Sequence, residues 1–204
     1  KTGVFTSTIA EAGAFIKTKD ELEAPNIQLH YAPAMVIDHG RKSAWGTGLS
    51  CHSCLLRPKS RGEVTLESAD PFADPLIDPK FLTHPDDMQD MIDGYKAMMK
   101  VLNNASFSKY ISQNTQRPID INDDADIEKA IREEADTVYH PVGTCKMGDD
   151  DLSVVSSDLK VHKMKGLRVV DASIMPTLVG GNTNAPTIMI GEKASDLILN
   201  EWRI

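Results

Sequence analysis

Cysteine is sparse in this 204-residue chain, with only Cys51, Cys54 and Cys145. An odd and scattered set of three excludes a disulfide framework and points to a reducing, cytosolic-type compartment. Positive charge is also short. Lys and Arg number 22 against 30 Asp and Glu, so the formal net charge is −8. A nucleic-acid surface is excluded on that balance, because neutralising phosphates takes clustered Lys and Arg. No stretch approaches the roughly 20 consecutive apolar residues needed to span a bilayer. No basic-then-apolar leader pattern opens the chain. Aromatic residues make up only 5% of the sequence.

What is present is ordinary globular material, 41% hydrophobic and 25% charged. The length suits one domain, or a domain and a fraction, and can bury a core without staples. The start, Lys1-Thr2-Gly3, reads as the middle of a larger polypeptide, and the end at Trp202-Arg203-Ile204 reads as natural.

Along the chain, residues 4–17 suggest an extended segment with a turn near Gly13. Residues 26–37 alternate, with Ile27, Leu29 and Tyr31 on one face, which is a strand signal at period two. Residues 44–56 alternate likewise, with Leu49, Cys51, Ser53 and Leu55 on one side. Arg61-Gly62 marks a turn, and Val64 with Leu66 resumes the alternation. Pro71, Pro75 and Pro79 mark an irregular crossing. Thr83-x-x-Asp86 fits a capping box with Asp in place of Glu. The helix it opens carries an apolar stripe of Met88, Met91, Ile92, Tyr95, Met99 and Leu102, which reads as core filler. Asp123-Asp124 opens a shorter helix through Ala135, with Ile127, Ala130 and Ile131 inward. Leu159–His162 and Leu167–Val170 read as strands, and a last helix runs from near Pro186 to about Trp202. The predicted fold class is α+β: an antiparallel sheet with helices packed on one side.

Three segments could carry chemistry. Cys51-His52-Ser53-Cys54 has the spacing of half a zinc site. Its partners would have to come from Cys145 or from the scattered His30, His84 and His162, so two thiols packed in a sheet is the favoured reading and no metal is expected. Tyr139-His140-Pro141-Val142-Gly143-Thr144-Cys145-Lys146-Met147-Gly148 holds a histidine on a stiff segment, because the residue before proline is biased away from helix. An imidazole is the natural general base near neutral pH. Taken alone, such a histidine is more often structural. Val179-Gly180-Gly181-Asn182-Thr183-Asn184-Ala185-Pro186-Thr187 leads from a loop into a helix. Such a junction offers free N–H groups and a positive dipole end to an electron-rich ligand. Taken alone, an ordinary helix start is the plainer reading.

Together, and in this order, the last two segments closely resemble the glucose-methanol-choline (GMC) oxidoreductase family. Leu167-Arg168-Val169-Val170-Asp171-Ala172-Ser173-Ile174-Met175-Pro176 is similar to the remainder of its C-terminal signature. Arg57-Pro58-Lys59-Ser60-Arg61-Gly62-Glu63-Val64 and Glu11-Ala12-Gly13-Ala14-Phe15 are similar to further family segments, so the resemblance spans essentially the whole chain. It implies FAD, held mainly by an N-terminal Rossmann-like domain. That half is missing here. No G-x-G-x-x-G follows a strand, and Gly46-Thr47-Gly48 lacks the third glycine. Residues 1–204 are therefore expected to be the C-terminal substrate-binding and catalytic part, with 167–204 returning to pack on the FAD domain.

The resemblance also implies roles. His140 matches the catalytic histidine, which accepts the substrate hydroxyl proton. Asn182 matches a second position, His or Asn across the family, which hydrogen-bonds the substrate oxygen. Asp171 and Ala172 match positions near the FAD ribityl and pyrophosphate, and Asn184, Ala185, Pro186 and Thr187 match the junction facing the flavin's pyrimidine end. The implied reaction is FAD-dependent oxidation of a primary alcohol, choline or aliphatic, to the aldehyde by hydride transfer, as in a choline dehydrogenase or another alcohol dehydrogenase. The chain by itself is expected to bind FAD weakly and turn nothing over. Choline would need aromatic faces or a carboxylate for its ammonium group. Only Tyr139 adjoins His140, while Phe5, Phe15, Tyr31 and Trp45 could line a pocket. The rivals are an oxidase that uses oxygen, a non-catalytic binding module using Cys51 and Cys54, and a purely structural dimer-forming domain that keeps His140 and Asn182 away from any open surface. The expected partners are a small alcohol and the chain's own FAD domain, with no nucleic acid. The electron acceptor, a homodimer, and a cytoplasmic position with or without peripheral attachment to the inner face of a membrane stay open.

Overall fold

The computed structural model describes residues 6, 8, 10–36, 42, 46, 48–111 and 118–202. Phe5 and Trp45, with positions 44 and 47 of the predicted strand, lie outside the described residues. The chain divides into two compact units, Lys1–Lys59 with Leu82–Asp136, and Ser60–Phe81 with Thr137–Ile204.

The first unit is built on an antiparallel sheet of β1 (Ala12–Ile16), β2 (Ile27–Ala32) and β3 (Ser50–Leu55), in that order. The period-two reading of β2 holds: Ile27 and Leu29 are fully buried, and Tyr31 packs in the same cluster with Ala14, Ile16, Cys51 and Leu55. Gly13 is not at a turn. It sits inside β1 opposite His30, where a Cβ would lie 2.9 Å from the Leu29 carbonyl oxygen. Close strand approach, rather than chain reversal, explains this glycine. The β1–β2 connection is held by buried Asn26. Its Oδ1 accepts from the Thr18 N–H at 3.0 Å, and its Nδ2 donates to Thr18 Oγ1 at 2.8 Å.

Helix α1 (Pro85–Leu102) packs on β2 and β3. Its cap differs from the predicted one. Pro85 has no N–H to satisfy and suits the first helical turn. It also forces the preceding residue to be extended. His84 is therefore the N-cap, at φ −84° and ψ 130°, and its Nδ1 accepts from the Asp86 N–H at 3.2 Å. The helix comes closest to the sheet at Gly94, where a Cβ would meet Ser53 Oγ at 2.7 Å and Ile27 Cδ1 at 2.8 Å. A single turn, α2 (Ala105–Ser108), follows. Helix α3 (Asp124–Glu134) forms as expected, with Asp123 Oδ1 accepting from the Ala125 N–H at 3.0 Å. Ile127, Ala130 and Ile131 are buried, and Ile127 and Ile131 pack against Met88 and Ile92 of α1.

Asp87 is the buried carboxylate of this unit, 2% exposed, and its Oδ1 accepts from the Lys59 N–H at 2.7 Å. It ties the chain leaving β3 to the first turn of α1. Replacing Asp87 with alanine is expected to cost about 1–3 kcal/mol, because a buried donor loses its charged partner. Urea unfolding checks this: the midpoint should fall at unchanged slope. The exposed neighbour Asp86, changed to alanine, should move it far less. Equal effects would show that Asp87 is an ordinary helix-start acid.

The second unit contains the antiparallel hairpin β4 (Glu63–Thr65) and β5 (Leu76–Asp78), in which Val64 faces Ile77. The predicted strands at 159–162 and 167–170 are reduced to isolated contacts: a bridge between Lys160 and Arg168, and hydrogen bonds from Val161 N to Leu167 O and Val169 N to Leu159 O. The physical reason is local. Leu159 opens the first run at φ 64°, Lys163 follows it at φ 62°, and Gly166 precedes the second at φ 73°, so left-handed residues cut the extended runs at their ends. A 3-10 turn (Ala172–Ile174) precedes α4 (Asn184–Trp202). Val155, Leu159, Ile174, Met175, Ile190 and Ala194 form the core. Glu201, near the end of α4, pairs with Lys160 and Arg168, which hold its carboxyl below the usual range. The class is α+β, with antiparallel sheets and packed helices, as predicted.

Candidate active site

The candidate residues all belong to the second unit, and one core organises the segments that carry them. His140 precedes Pro141 and is neither helical nor in a strand. Just before it, Tyr139 has φ 63° and its N–H donates to Thr137 Oγ1 at 2.9 Å. A bulky residue held in the left-handed region is a strained backbone position. No residue-type signal announces it, since glycine and asparagine are the usual occupants. Beyond Pro141 the chain is strapped down. Val142 and Met147 pack on the core, the Cys145 N–H donates to Ser173 O at 3.0 Å, and the Met147 N–H donates to Ile174 O at 2.8 Å. Gly143, at φ 87°, lets this strap pass the Met175 carbonyl oxygen, which would lie 3.3 Å from an added Cβ.

Asn182 is positioned from the other side. Val179 packs on the same core, and the Gly181 N–H folds back to the Val179 carbonyl at 2.8 Å. The Thr183 carbonyl then accepts from both the N–H and the Oγ1 of Thr187, at 3.1 and 2.7 Å, which starts α4. His140, Asn182, Asn184 and Ala185 are exposed, while Pro186 and Thr187 are half-buried. The first turn of α4 holds no acidic residue, whereas α1 and α3 carry Asp86 with Asp87, and Asp124 with Asp126. The positive end of the α4 dipole is therefore uncompensated by its own side chains.

Asp171 is exposed and already has a structural task. Its Oδ1 accepts from the Ser173 N–H at 2.8 Å and caps the 3-10 turn. Ala172 is half-buried against the core. The donor set suits one edge of a flavin. Asparagine amides and an uncompensated helix end match electron-rich ring carbonyls, and small glycines beside them allow close approach. Asp171 suits a ribityl hydroxyl better than a pyrophosphate, because two anions repel.

Cys51 and Cys54 lie in β3, opposite Tyr31 and Gln28. Three residues apart in a strand, their side chains leave opposite faces, so strand geometry parts the two thiols that the spacing pairs. Burial pushes the Cys51 thiol up to about 11, partly offset by a hydrogen bond with Tyr31, and burial raises Cys54 as well. Protonated thiols are poor nucleophiles and poor ligands. Among the described residues, no three His, Cys, Asp or Glu side chains group so as to hold a metal ion. Phe15 and Tyr31 belong to the first unit, and Tyr31 helps to line an apolar hollow of about 410 Å³ there with Leu49, Val101 and Phe107. Among the described residues, no helix is long and apolar enough to cross a membrane.

The chain is 47% identical over 199 residues to an alcohol dehydrogenase [acceptor] of Pseudomonas putida, covering 98% of this chain and 36% of that protein. It is 41% identical over 197 residues to an oxygen-dependent choline dehydrogenase of Klebsiella pneumoniae, covering 97% and 36%. Among solved structures it is similar to pyridoxine 4-oxidase from Mesorbium loti, with TM-score 0.83, 25% identity, and 92% and 37% coverage. It is also similar to the Aspergillus oryzae formate oxidase studied for FAD modification, with TM-score 0.82, 29% identity, and 89% and 32% coverage. The chain thus spans about a third of the length of each of these proteins. A family model described as GMC oxidoreductase matches residues 58–191, and the chain belongs to that family.

Proposed function

We propose that this chain is the substrate-side part of an FAD-dependent dehydrogenase that oxidises a primary alcohol to its aldehyde. The observation that carries the reading is the exposure of both His140 and Asn182 on segments anchored, through Val142 and Val179, to one core. His140 also directly follows Tyr139, whose left-handed backbone is a strained position of the kind that clusters at functional sites. Bound FAD would take up the hydride from the alcohol carbon. His140 accepts the hydroxyl proton as that bond weakens. The Asn182 amide donates to the substrate oxygen as negative charge develops on it. The α4 N-terminus, through Asn184 and Ala185, favours negative charge on the cofactor's pyrimidine edge.

The FAD-binding domain belongs to the part of the protein outside this chain, and 167–204 packs on it. Ile188, Met189, Leu199 and Trp202 support this, because they leave large apolar surface exposed on a helix that already has a buried side. Only Tyr139 adjoins His140 as an aromatic face for a quaternary ammonium, and identity to the relative named alcohol dehydrogenase, 47%, exceeds the 41% to the choline dehydrogenase, so we favour an aliphatic alcohol over choline.

The test uses the full-length protein. It should purify with FAD, and anaerobic addition of a short 1-alkanol should bleach the flavin absorbance more efficiently than choline does. Turnover should be faster with an artificial acceptor than with oxygen. A flavin that no primary alcohol bleaches would overturn the reading.

A further inference from the structure

The hairpin region Ser60–Phe81 exposes a run of large apolar side chains. Phe72 is 93% exposed, Leu66 83%, Ile77 67%, Phe81 61%, Leu76 51% and Val64 48%. They are not loose. Val64 and Ile77 face each other across β4 and β5, and Leu66 lies just past the end of β4. Phe72 is presented by a built turn, in which Asp70 Oδ1 accepts from the Phe72 N–H at 3.0 Å and Ser68 Oγ accepts from the Asp70 N–H at 3.2 Å. A two-stranded hairpin with an open apolar face is marginal by itself and needs a cover.

Charge narrows what the cover is. Residues 60–81 hold Glu63, Glu67, Asp70, Asp74 and Asp78 against Arg61 and Lys80. An anionic lipid surface would be repelled. A two-fold contact between copies would set the same acids face to face. Length supplies the third argument: about two thirds of the full-length relatives lies outside this chain.

We infer that the β4–β5 hairpin is a docking face for the polypeptide that precedes Lys1 in the parent protein, with Phe72 and Leu66 as its anchors. The occupant is an apolar surface with a basic rim. This rests on the reading of the chain as the C-terminal part of a longer enzyme, and it adds a second contact beyond the α4 face.

The test is hydroxyl-radical footprinting of the unmodified full-length protein, read residue by residue by mass spectrometry at a dilution where sedimentation shows a monomer. Oxidation of Phe72 and Leu66 should be far slower than in the urea-unfolded chain, and as slow as at the buried Ile174 and Ile190 of the same unit. Oxidation at the unfolded rate overturns the inference. Protection seen only in a dimer overturns it too, and makes a second copy the occupant. Flavin content is measured on the same sample. Protection without flavin would leave the docking face standing and sink the flavin reading.

Discussion

His140→Ala in the full-length protein is expected to lower the rate of flavin reduction at saturating alcohol by about 10²-fold or more, the range for losing a positioned general base. Flavin content should be unchanged, because the straps that hold this segment run from Val142, Cys145 and Met147 rather than from the imidazole. Anaerobic stopped-flow separates the two readouts. His140→Gln keeps hydrogen-bonding capacity and volume without a basic nitrogen, and should be nearly as slow as alanine. If alanine left the rate near normal, the proton would be leaving by another route and His140 would be only a surface residue of a tight turn.

Asn182→Ala is the second large effect. Losing one donor to a developing oxyanion costs about 10²–10³ in kcat. The decrease should fall mainly on kcat rather than KM, since the hydrogen bond strengthens as the oxygen gains charge. Asn182→His should recover much of the loss, because a ring N–H can replace the amide donor. This rescue is the decisive arm. A loop residue that matters only for folding would not be restored by a larger ring, since Gly181 and Thr183 on either side hold the backbone by their own bonds. A rise in KM alone, or no recovery with histidine, would remove Asn182 from the proposed chemistry.

What could be read in the chain beforehand was what depends on period and end chemistry. The alternation of Ile27, Leu29 and Tyr31, the stripe along α1 and the acidic opening of α3 each depend on local pattern, and each appears in the fold. The errors have local causes as well. Thr83 lost the cap to His84 because Pro85 shifts the helix start by one residue. The predicted strands near Leu159 and Leu167 are cut short because Leu159, Lys163 and Gly166 turn left-handed at their ends, which the β-propensity of Leu159 does not reveal. Gly13 looks like a turn signal, although its reason is a neighbouring strand's carbonyl. Long-range facts were not legible at all. Nothing in the local sequence says that Asp87 reaches back to Lys59, or that 60–81 and 137–204 form one unit. The candidate site was found through its resemblance to a family. The spacing of His140 and Asn182 alone would have left both as ordinary loop residues.

The left-handed backbone at Tyr139 has a consequence for engineering the substrate range. Tyr139, 64% exposed, directly precedes His140 in the chain and is an obvious position to vary. Yet φ 63° taxes replacements unequally. Valine, isoleucine and threonine are opposed by their branched Cβ, whereas glycine and asparagine relax into the turn. A library at this position would therefore report on backbone tolerance as much as on the fit of an alcohol. Variants that shift the turn would move the neighbouring imidazole along with it, so any change in substrate preference there needs a parallel measurement of the proton-accepting step before it is credited to pocket shape.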